Sequence, residues 1–377
     1  MQLFLPRGHD EAIEGVARFA RPNMPWLIQL LEQPGGGPEE LASSEAEGVI
    51  ARLGPGGWAE AARACRSPLV EVMGGSDRAD IPSVRVDDAA AGRLAAEHLM
   101  DRGLRRFGYA ADVNSIFAIE RERGFIEALA EAGFACSSMP REPASAGLRQ
   151  SVEGERVTAD WLGALERPIG VLTHKPVVGL QLTQVCWRMG LRVPEEVAIM
   201  TAGDAPGMCE LAMPAMTAVA VDHARVGYES ARMLAALMAG EAPAERHMAI
   251  PPLGVVERGS TDTAAVADRD VAAAMRFIDG HAHERIDVND VVEATAVSRR
   301  PLERRFRKHL GRSPADQLGR VRLRRACELL ARTNLSIDAI AYRCGLASAT
   351  RLGELFARHL DVTPTEYRRR HQPRDHR

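Results

Sequence analysis

Val297-Ser-Arg-Arg-Pro-Leu-Glu-Arg-Arg-Phe-Arg-Lys-His-Leu-Gly-Arg-Ser-Pro314 reads as one helix with a marked start and stop. Ser298 sits where an N-cap belongs, and its hydroxyl can accept a free backbone N–H. Pro301 falls in the first turn, where a missing N–H costs little. Leu302, Phe306 and Leu310 recur every four residues and form one apolar stripe. Arg299, Arg300, Arg304, Arg305, Arg307 and Lys308 cover the remaining faces, and Gly311 ends the helix. A short helix pinned by one stripe, with arginine elsewhere, suits the major groove of DNA. Taken alone, the stretch fits a solvated basic face equally well.

The charge distribution around it discriminates. The chain has 377 residues, enough for two or three domains and a large core, and a net charge of -3. From residue 271 onward, 22 Lys and Arg face 13 Asp and Glu, a balance of +9; before it, 26 face 38, a balance of -12. An acidic body with a basic tail points to a polyanionic partner for the tail only. The six cysteines form no CxxC and do not cluster with histidine, so neither a zinc site nor a disulfide framework is expected. Met1–Pro6 is too short for a secretion signal, and no apolar run nears the ~20 residues of a membrane span. The expected location is the cytoplasm, which argues against a secreted solute-binding protein.

Residues 1–260 alternate short apolar runs with amphipathic helical stretches. Expected strands are Gln2–Leu5, Trp26–Leu31, Gly48–Arg52, Leu69–Val72, Val84–Val86, Arg106–Ala110, Ile169–Thr173, Val197–Thr201 and Met216–Val219. Ile250–Val256 is expected as a closing edge strand, since Pro251-Pro252 is tolerable only there. The pattern restarts after the polar stretch Ser137–Leu148. This implies parallel sheets with helices on both faces, in two lobes with a ligand cleft between them. No GxGxxG opens a helix after a strand and no GxxxxGK[ST] occurs, so no nucleotide cofactor is expected. Glu257-Arg-Gly-Ser-Thr-Asp-Thr263 reads as linker, and everything beyond it as helix. The expected domains are 1–260 for ligand binding, 261–268 as linker, and an all-α domain over 269–377.

That last domain contains a duplication. Val288…Ala294, a turn, Ser298…Leu310 and Gly-Arg-Ser-Pro314 are echoed by Ile337…Arg343, a turn, Ser348…Leu360 and Asp-Val-Thr-Pro364. Two helix-turn-helix units joined by the long helix Ala315–Thr333 could set two recognition helices in successive major-groove turns, about 34 Å apart.

On Leu302-Glu-Arg-Arg-Phe-Arg-Lys308, Arg322–Leu330, Ser336–Leu346 and Phe356–Arg368, the tail resembles the DNA-binding domain of the AraC/XylS family. On Val86–Leu99, Arg121–Leu129 with Ala132-Gly133, Gly190–Ile199 and Val256–Thr261, the front resembles LacI-type effector domains related to periplasmic sugar-binding proteins. The headpiece usual there is not expected, because Gln2–Leu5 already reads as a core strand.

The first resemblance implies base-reading positions at Arg300, Glu303 and Arg304, with Arg299 near the backbone. In the second unit it implies Ala349, Thr350 and Glu354, with Arg351 beside them. Arg can bridge guanine and Glu can accept from cytosine, whereas alanine reads at most a thymine methyl. Phosphate contacts are expected from Arg307, Lys308, Arg320, Arg358 and the helix starts at Ser298 and Ser348. The second resemblance implies sugar contacts at Arg121 and Asp204, where a guanidinium fork and a carboxylate can hold vicinal hydroxyls. Phe117 or Trp161 could stack on a sugar face. Asp87 and Asp88 could touch ligand or merely cap a helix. Lys175-Pro176 departs from the polar pair such domains carry, leaving a non-sugar ligand open.

Together the resemblances imply a cytoplasmic transcriptional activator that binds double-stranded DNA. They imply control by a xylose-like or other saccharide, a homodimer, and RNA polymerase as a partner. No catalytic residue, metal or cofactor is expected. A sugar-binding receptor would leave the basic tail unexplained. An enzyme would need partners for Ser43-Ser44 or His174 that the spacing does not supply.

Overall fold

The structure, a computed structural model, describes residues 1–5, 9–32, 37–54, 56–74, 80–111, 115–140, 152–262 and 268–371. The chain opens with β1 (Gln2–Leu5), α1 (Asp10–Asn23), β2 (Gln29–Glu32), α2 (Pro38–Ala42), β3 (Val49–Ala51), α3 (Trp58–Ala64), β4 (Leu69–Val72) and β5 (Ser83–Val86). It continues through α4 (Asp88–Asp101), β6 (Phe107–Ala110), α5 (Ile116–Glu131), β7 (Cys136–Ser138), α6 (Val152–Gly163), β8 (Ile169–Thr173) and α7 (Pro176–Arg188). Next come β9 (Val197–Ala202), α8 (Pro206–Leu211), β10 (Thr217–Ala220), α9 (His223–Met238), β11 (His247–Ile250) and β12 (Gly254–Val256). Seven helices follow: α10 (Arg269–His281), α11 (Val288–Glu293), α12 (Arg299–Leu310), α13 (Pro314–Arg332), α14 (Ile337–Arg343), α15 (Ala349–Leu360) and α16 (Pro364–His371).

One compact unit comprises Met1–Ala90, Asn114–Glu120 and Val221–Pro252. Its sheet runs β11-β5-β4-β3-β1-β2, with every pairing parallel. Alternation along β1 shows why both faces are covered: Leu3 and Leu5 pack with Val16, Ile50, Val226 and Leu234, while Phe4 packs with Leu41, Val49 and Trp58. Helices α1 and α9 cross backbone to backbone. A Cβ added at Gly15 would lie 1.9 Å from the carbonyl of Ala224, and one at Gly227 would lie 1.9 Å from that of Ala12. Strand β2 starts three residues later than the sequence pattern suggests, because Trp26 turns in against Phe19, ring centres 6.0 Å apart.

The other unit comprises Ala91–Val113, Arg121–Ala220 and Leu253–Arg377. Its sheet runs β12-β10-β9-β8-β6-β7, parallel except for β12. The single edge strand expected over Ile250–Val256 is instead two strands in two different sheets. Pro251-Pro252 falls in the break between them, where neither ladder needs the missing N–H. Strand β7 was not expected; it is a three-residue polar edge with too little apolar content to announce itself. The stretch expected to open the linker is folded at 259–261: Ser260 and Thr261 are buried in a 3-10 turn, Gly259–Thr261. The middle of the expected linker, 263–267, lies outside the described residues.

The helical part of this unit has two cores. One gathers Val271, Met275, Ile278, Val291, Leu302, Phe306, Leu310 and Leu318; the other gathers Leu323, Ala326, Leu330, Ile340, Ala341, Leu352 and Phe356. Helix α13 supplies both, its first turns to one and its later turns to the other. The two helix-turn-helix units register at an offset of fifty residues, Ser298 on Ser348, Leu302 on Leu352, Phe306 on Phe356. Gly311 ends α12 in the left-handed region at φ 72°, and Asp361 does so for α15 at φ 53°. Asp287 caps α11 in a reciprocal capping box with Asp290. Ser298 corrects an expectation: it occupies the N-cap position of α12, but its hydroxyl accepts no backbone N–H, whereas Ser348 accepts from Arg351. Among the described residues no helix is long and apolar enough to cross a membrane.

The Gly15/Gly227 crossing has a measurable consequence. Gly227→Ala should destabilise the chain by about 1–3 kcal/mol or more, because the carbonyl it would strike is main chain. Gly207→Ala, with no heavy atom within 4 Å of the new methyl, should change little. Thermal unfolding of the two variants checks this; equal melting temperatures would refute the close crossing.

Candidate functional site

Helix α12 presents its expected reading face outward. Its stripe of Leu302, Phe306 and Leu310 is buried, which leaves Arg299, Arg300, Arg304, Arg307 and Lys308 exposed. These side chains are not equivalent. Arg299 donates to Glu303 at 3.0 Å and reaches Asn289 at 3.4 Å, so Glu303 is engaged before any base arrives. Arg300, Arg304, Arg307 and Lys308 make no side-chain hydrogen bond or ion pair to any described residue. Arg305, by contrast, is half-buried and bound to Asp268 and Asp270 at the start of α10, so it braces the unit.

The second reading helix differs. At the fifty-residue offset Thr350 stands where the first unit has Arg300 and Ala349 where it has Arg299, and Arg351 is paired with Glu354 at 2.8 Å. Of the other basic residues expected on phosphates, Arg358 is held by Asp316 at 2.8 Å and Arg320 lies 3.5 Å from Asp101.

In the effector part of the same unit, Arg121 and Asp204 converge on the end of β9. Arg121 is buried on α5 and donates to the carbonyls of His174 and Ala202, the latter at 3.2 Å. These carbonyls stand at or just past the carboxyl ends of β8 and β9, where a parallel sheet leaves groups for ligands. Gly92 makes that placement possible: α4 and α5 touch there, and a Cβ would lie 2.0 Å from the Arg121 carbonyl. Asp204, two residues beyond β9, accepts from Arg258 at 3.0 Å. Arg258 also binds Glu210 at 3.0 Å and the Met216 carbonyl at 3.0 Å. Sequence reasoning missed Arg258, because its partner is 54 residues away and only the fold adjoins them. Lys175 is the N-cap residue of α7, next to the His174 carbonyl that Arg121 holds, and Pro176 is that helix's first residue.

Asp87 and Phe117 belong to the other unit. The Asp87 carboxylate accepts the Ala90 N–H at 2.9 Å, the cap role weighed for it, and Asp88 is the first residue of α4. Phe117 is half-buried at the start of α5. Trp161 is not a stacking platform: it is buried in the core against Gly108, and its Nε1–H points to Ser137 at 3.3 Å.

A charged cluster joins the effector part of this unit to the helical part. Arg102 of α4, almost wholly buried, donates to Glu257 at 2.6 Å and Asp279 at 2.8 Å. Arg324 of α13 meets Glu257 at 2.9 Å and His98 Nδ1 at 3.2 Å. A guanidinium can only donate, so Nδ1 accepts and the ring proton sits on Nε2, 2.9 Å from Thr261 Oγ1. Burial, reinforced by Arg102 and Arg324, holds His98 well below the usual histidine range and therefore neutral.

Known families match in three places: a periplasmic binding protein-like domain over 96–261, periplasmic binding proteins and sugar binding domain of LacI family over 39–142, and a helix-turn-helix domain over 291–370. The xylose operon regulatory protein of Escherichia coli K12 is 28% identical over 370 residues, 95% of this chain and 93% of its own. The protein of the same name from Haemophilus influenzae is 25% identical over 366 residues, 95% of this chain and 94% of its own. The solved structure of the xylose-binding transcription activator XylR matches at TM-score 0.60 and 27% identity, covering 99% of this chain and 98% of that one. The chain is an AraC-type transcriptional regulator with a LacI-type effector domain. In this regulator the two modules follow one another in the order the sequence motifs imply. It is a DNA-binding protein and not an enzyme, as its relatives are regulators.

Keeping His98 neutral has a pH signature. Its folded pKa is depressed, so the stability it contributes is present above the unfolded value of about 6.5 and is lost as pH falls below it. The loss should approach about 1.4 kcal/mol per pH unit. Melting curves from pH 7.5 to 5.5 should be steeper in pH for the wild type than for His98→Gln; parallel dependences would exclude a neutral buried ring.

Proposed function

We propose that this regulator is a cytoplasmic, saccharide-responsive activator that works as a homodimer at operator DNA and contacts RNA polymerase there. The observation that carries the reading is the placement of Arg121 and Asp204 near the carboxyl end of one strand of a LacI-type domain with two helix-turn-helix units behind it. A carboxylate and a guanidinium at strand ends suit a ligand rich in hydroxyls. The relatives' names, which refer to xylose, make D-xylose the first probe.

On DNA, Arg300 and Arg304 of α12 read bases, since they are exposed and need break no ion pair to do so. Glu303 contributes only after leaving Arg299. Arg307 and Lys308 contact phosphates, as do the N-termini of α12 and α15 near Ser298 and Ser348. The second unit, with Ala349, Thr350 and an Arg351–Glu354 pair, orients the protein more than it specifies sequence. The expected domain limits, 1–260 and 269–377 around a 261–268 linker, remain the proposed division, although residues 257–261 are folded onto the effector part. Lys175 favours a second reading, an anionic saccharide such as a sugar acid, because a cation and a helix start adjoin the Arg121 contact.

Two measurements test this. In retardation of a promoter fragment, Arg300→Ala and Arg304→Ala should each cost about 1–3 kcal/mol and relax base preference. Arg307→Ala should weaken all sequences alike and lower the salt slope by about one. Retardation unchanged in the Arg300→Ala/Arg304→Ala double variant would remove α12 as the reader. Calorimetry with D-xylose, D-xylonate and cellobiose should give heat with one of them in the wild type and much weaker binding in Arg121→Ala. No heat with any of the three would end the saccharide reading.

A further inference from the structure

We infer that Glu257 and Arg258 form a two-faced strap that couples occupancy at Asp204 to the orientation of the DNA-binding helices. The inference rests on the effector reading above for what occupies Asp204, but its geometry stands without it.

The backbone at Arg258 is extended, φ -140° and ψ -177°, so successive side chains leave on opposite sides. Arg258 faces the end of β9, where it holds Asp204 and Glu210. Glu257 faces the helical domain, where it holds Arg324 of α13 and Arg102 of α4. One peptide bond therefore separates the candidate effector carboxylate's partner from the partner of the helix that carries both readers.

The strap is stiff behind this pair. The Ser260 hydroxyl accepts the Thr217 N–H at 2.8 Å and donates to the Ile199 carbonyl at 2.5 Å. The hydroxyls of Thr217 and Thr261 lie 2.8 Å apart, and Thr261 also meets His98. Gly259 lies so close to Pro214 that a Cβ would stand 2.9 Å from it. A segment held this way passes a displacement along rather than absorbing it. The helical side has room to respond: a cavity of about 330 Å³ adjoins the contact, lined among others by Val255, Glu257, Asp279, Arg324 and Glu328. Close-packed interiors resist such shifts, and this junction is open on that side.

The device works by competition for one carboxylate. A ligand hydroxyl donating to Asp204 takes acceptor capacity from Arg258 Nη2, which is then drawn toward Glu210 and the Met216 carbonyl. The strap moves with it, Glu257 shifts against Arg324 and Arg102, and α13 repositions both helix-turn-helix units together. Site-to-site couplings of this kind commonly amount to about 5- to 150-fold in affinity.

The test uses the full chain in two arms. In the first, hydrogen exchange is followed without any sugar. Glu257→Gln and Arg258→Ala should both speed exchange severalfold in residues 269–281 and 314–332, and Arg258→Lys should restore most of the protection. Unchanged exchange in both variants overturns the strap, whatever the protein binds. In the second arm, operator affinity is measured with and without saturating D-xylose. Glu257→Gln should keep D-xylose affinity within about twofold of wild type and bring the ratio of the two operator affinities toward one. A wild-type ratio in Glu257→Gln overturns the coupling. If D-xylose gives no heat with the wild type, the effector reading fails separately, and the exchange arm decides the strap.

Discussion

A guanidinium taken out of water must find carboxylates, and Arg102 meets this demand chiefly with two from different parts of the chain, Asp262 standing farther off at 3.8 Å. Glu257 follows the last strand of the effector sheet, and Asp279 lies on α10, the first helix of the helical part. Arg324 then completes the balance from the long helix α13. A buried pair of this kind contributes little net stability compared with apolar packing, but removing one member is costly. Its consequence is therefore specificity of placement. The helical domain is fixed on the effector part by charge matching at defined atoms, and burial at this junction, reinforced by the same cations, keeps His98 neutral.

The helical domain shows how a duplicated unit acquires a division of labour. Both halves keep the apolar stripe that seats the reading helix, since Leu302 and Phe306 repeat as Leu352 and Phe356. What differs lies on the outer face. The first helix carries arginines without partners among the described residues; the second carries alanine, threonine and an arginine neutralised by its neighbour. Packing tolerates this drift because the outer face bears no core contacts. Helix α13 cannot drift as freely, because it belongs to both cores, and at ~1.5 Å per residue its length sets the spacing of the readers.

Several expectations from the chain held only in outline. Ser298 has the residue type of an N-cap and the right backbone, yet its hydroxyl caps nothing, while Ser348, Ser313 and Ser336 all accept from the backbone. The difference lies in side-chain orientation, which residue type does not determine. Trp161 has the chemistry of a sugar platform, but it fills core volume beside Gly108. Glu257–Thr261 has the small, polar composition of a linker, yet Ser260 and Thr261 are buried and the segment is bonded to β9 and β10. Composition reports the average environment of such residues, and this segment's environment is supplied by neighbours far along the chain.

The amino-acid sequence by itself determined the architecture of this regulator. Strand-helix alternation, the charge reversal near residue 271 and the duplicated tail are short-range or summed properties, and any fold the chain adopts must satisfy them. It also determined which side of α12 faces outward, because three apolar residues at a spacing of four can bury only one side. Only the tertiary structure decided which charges meet. Asp204 and Arg258 are 54 positions apart, and Arg102 and Asp279 are 177 apart. Such pairs depend on strand order, and strand order here includes a chain that leaves one sheet at β11 and enters the other at β12. Coulomb attraction is steep at contact and carries no memory of sequence distance, so α12 could be recognised from its own residues, whereas what holds and steers it could not.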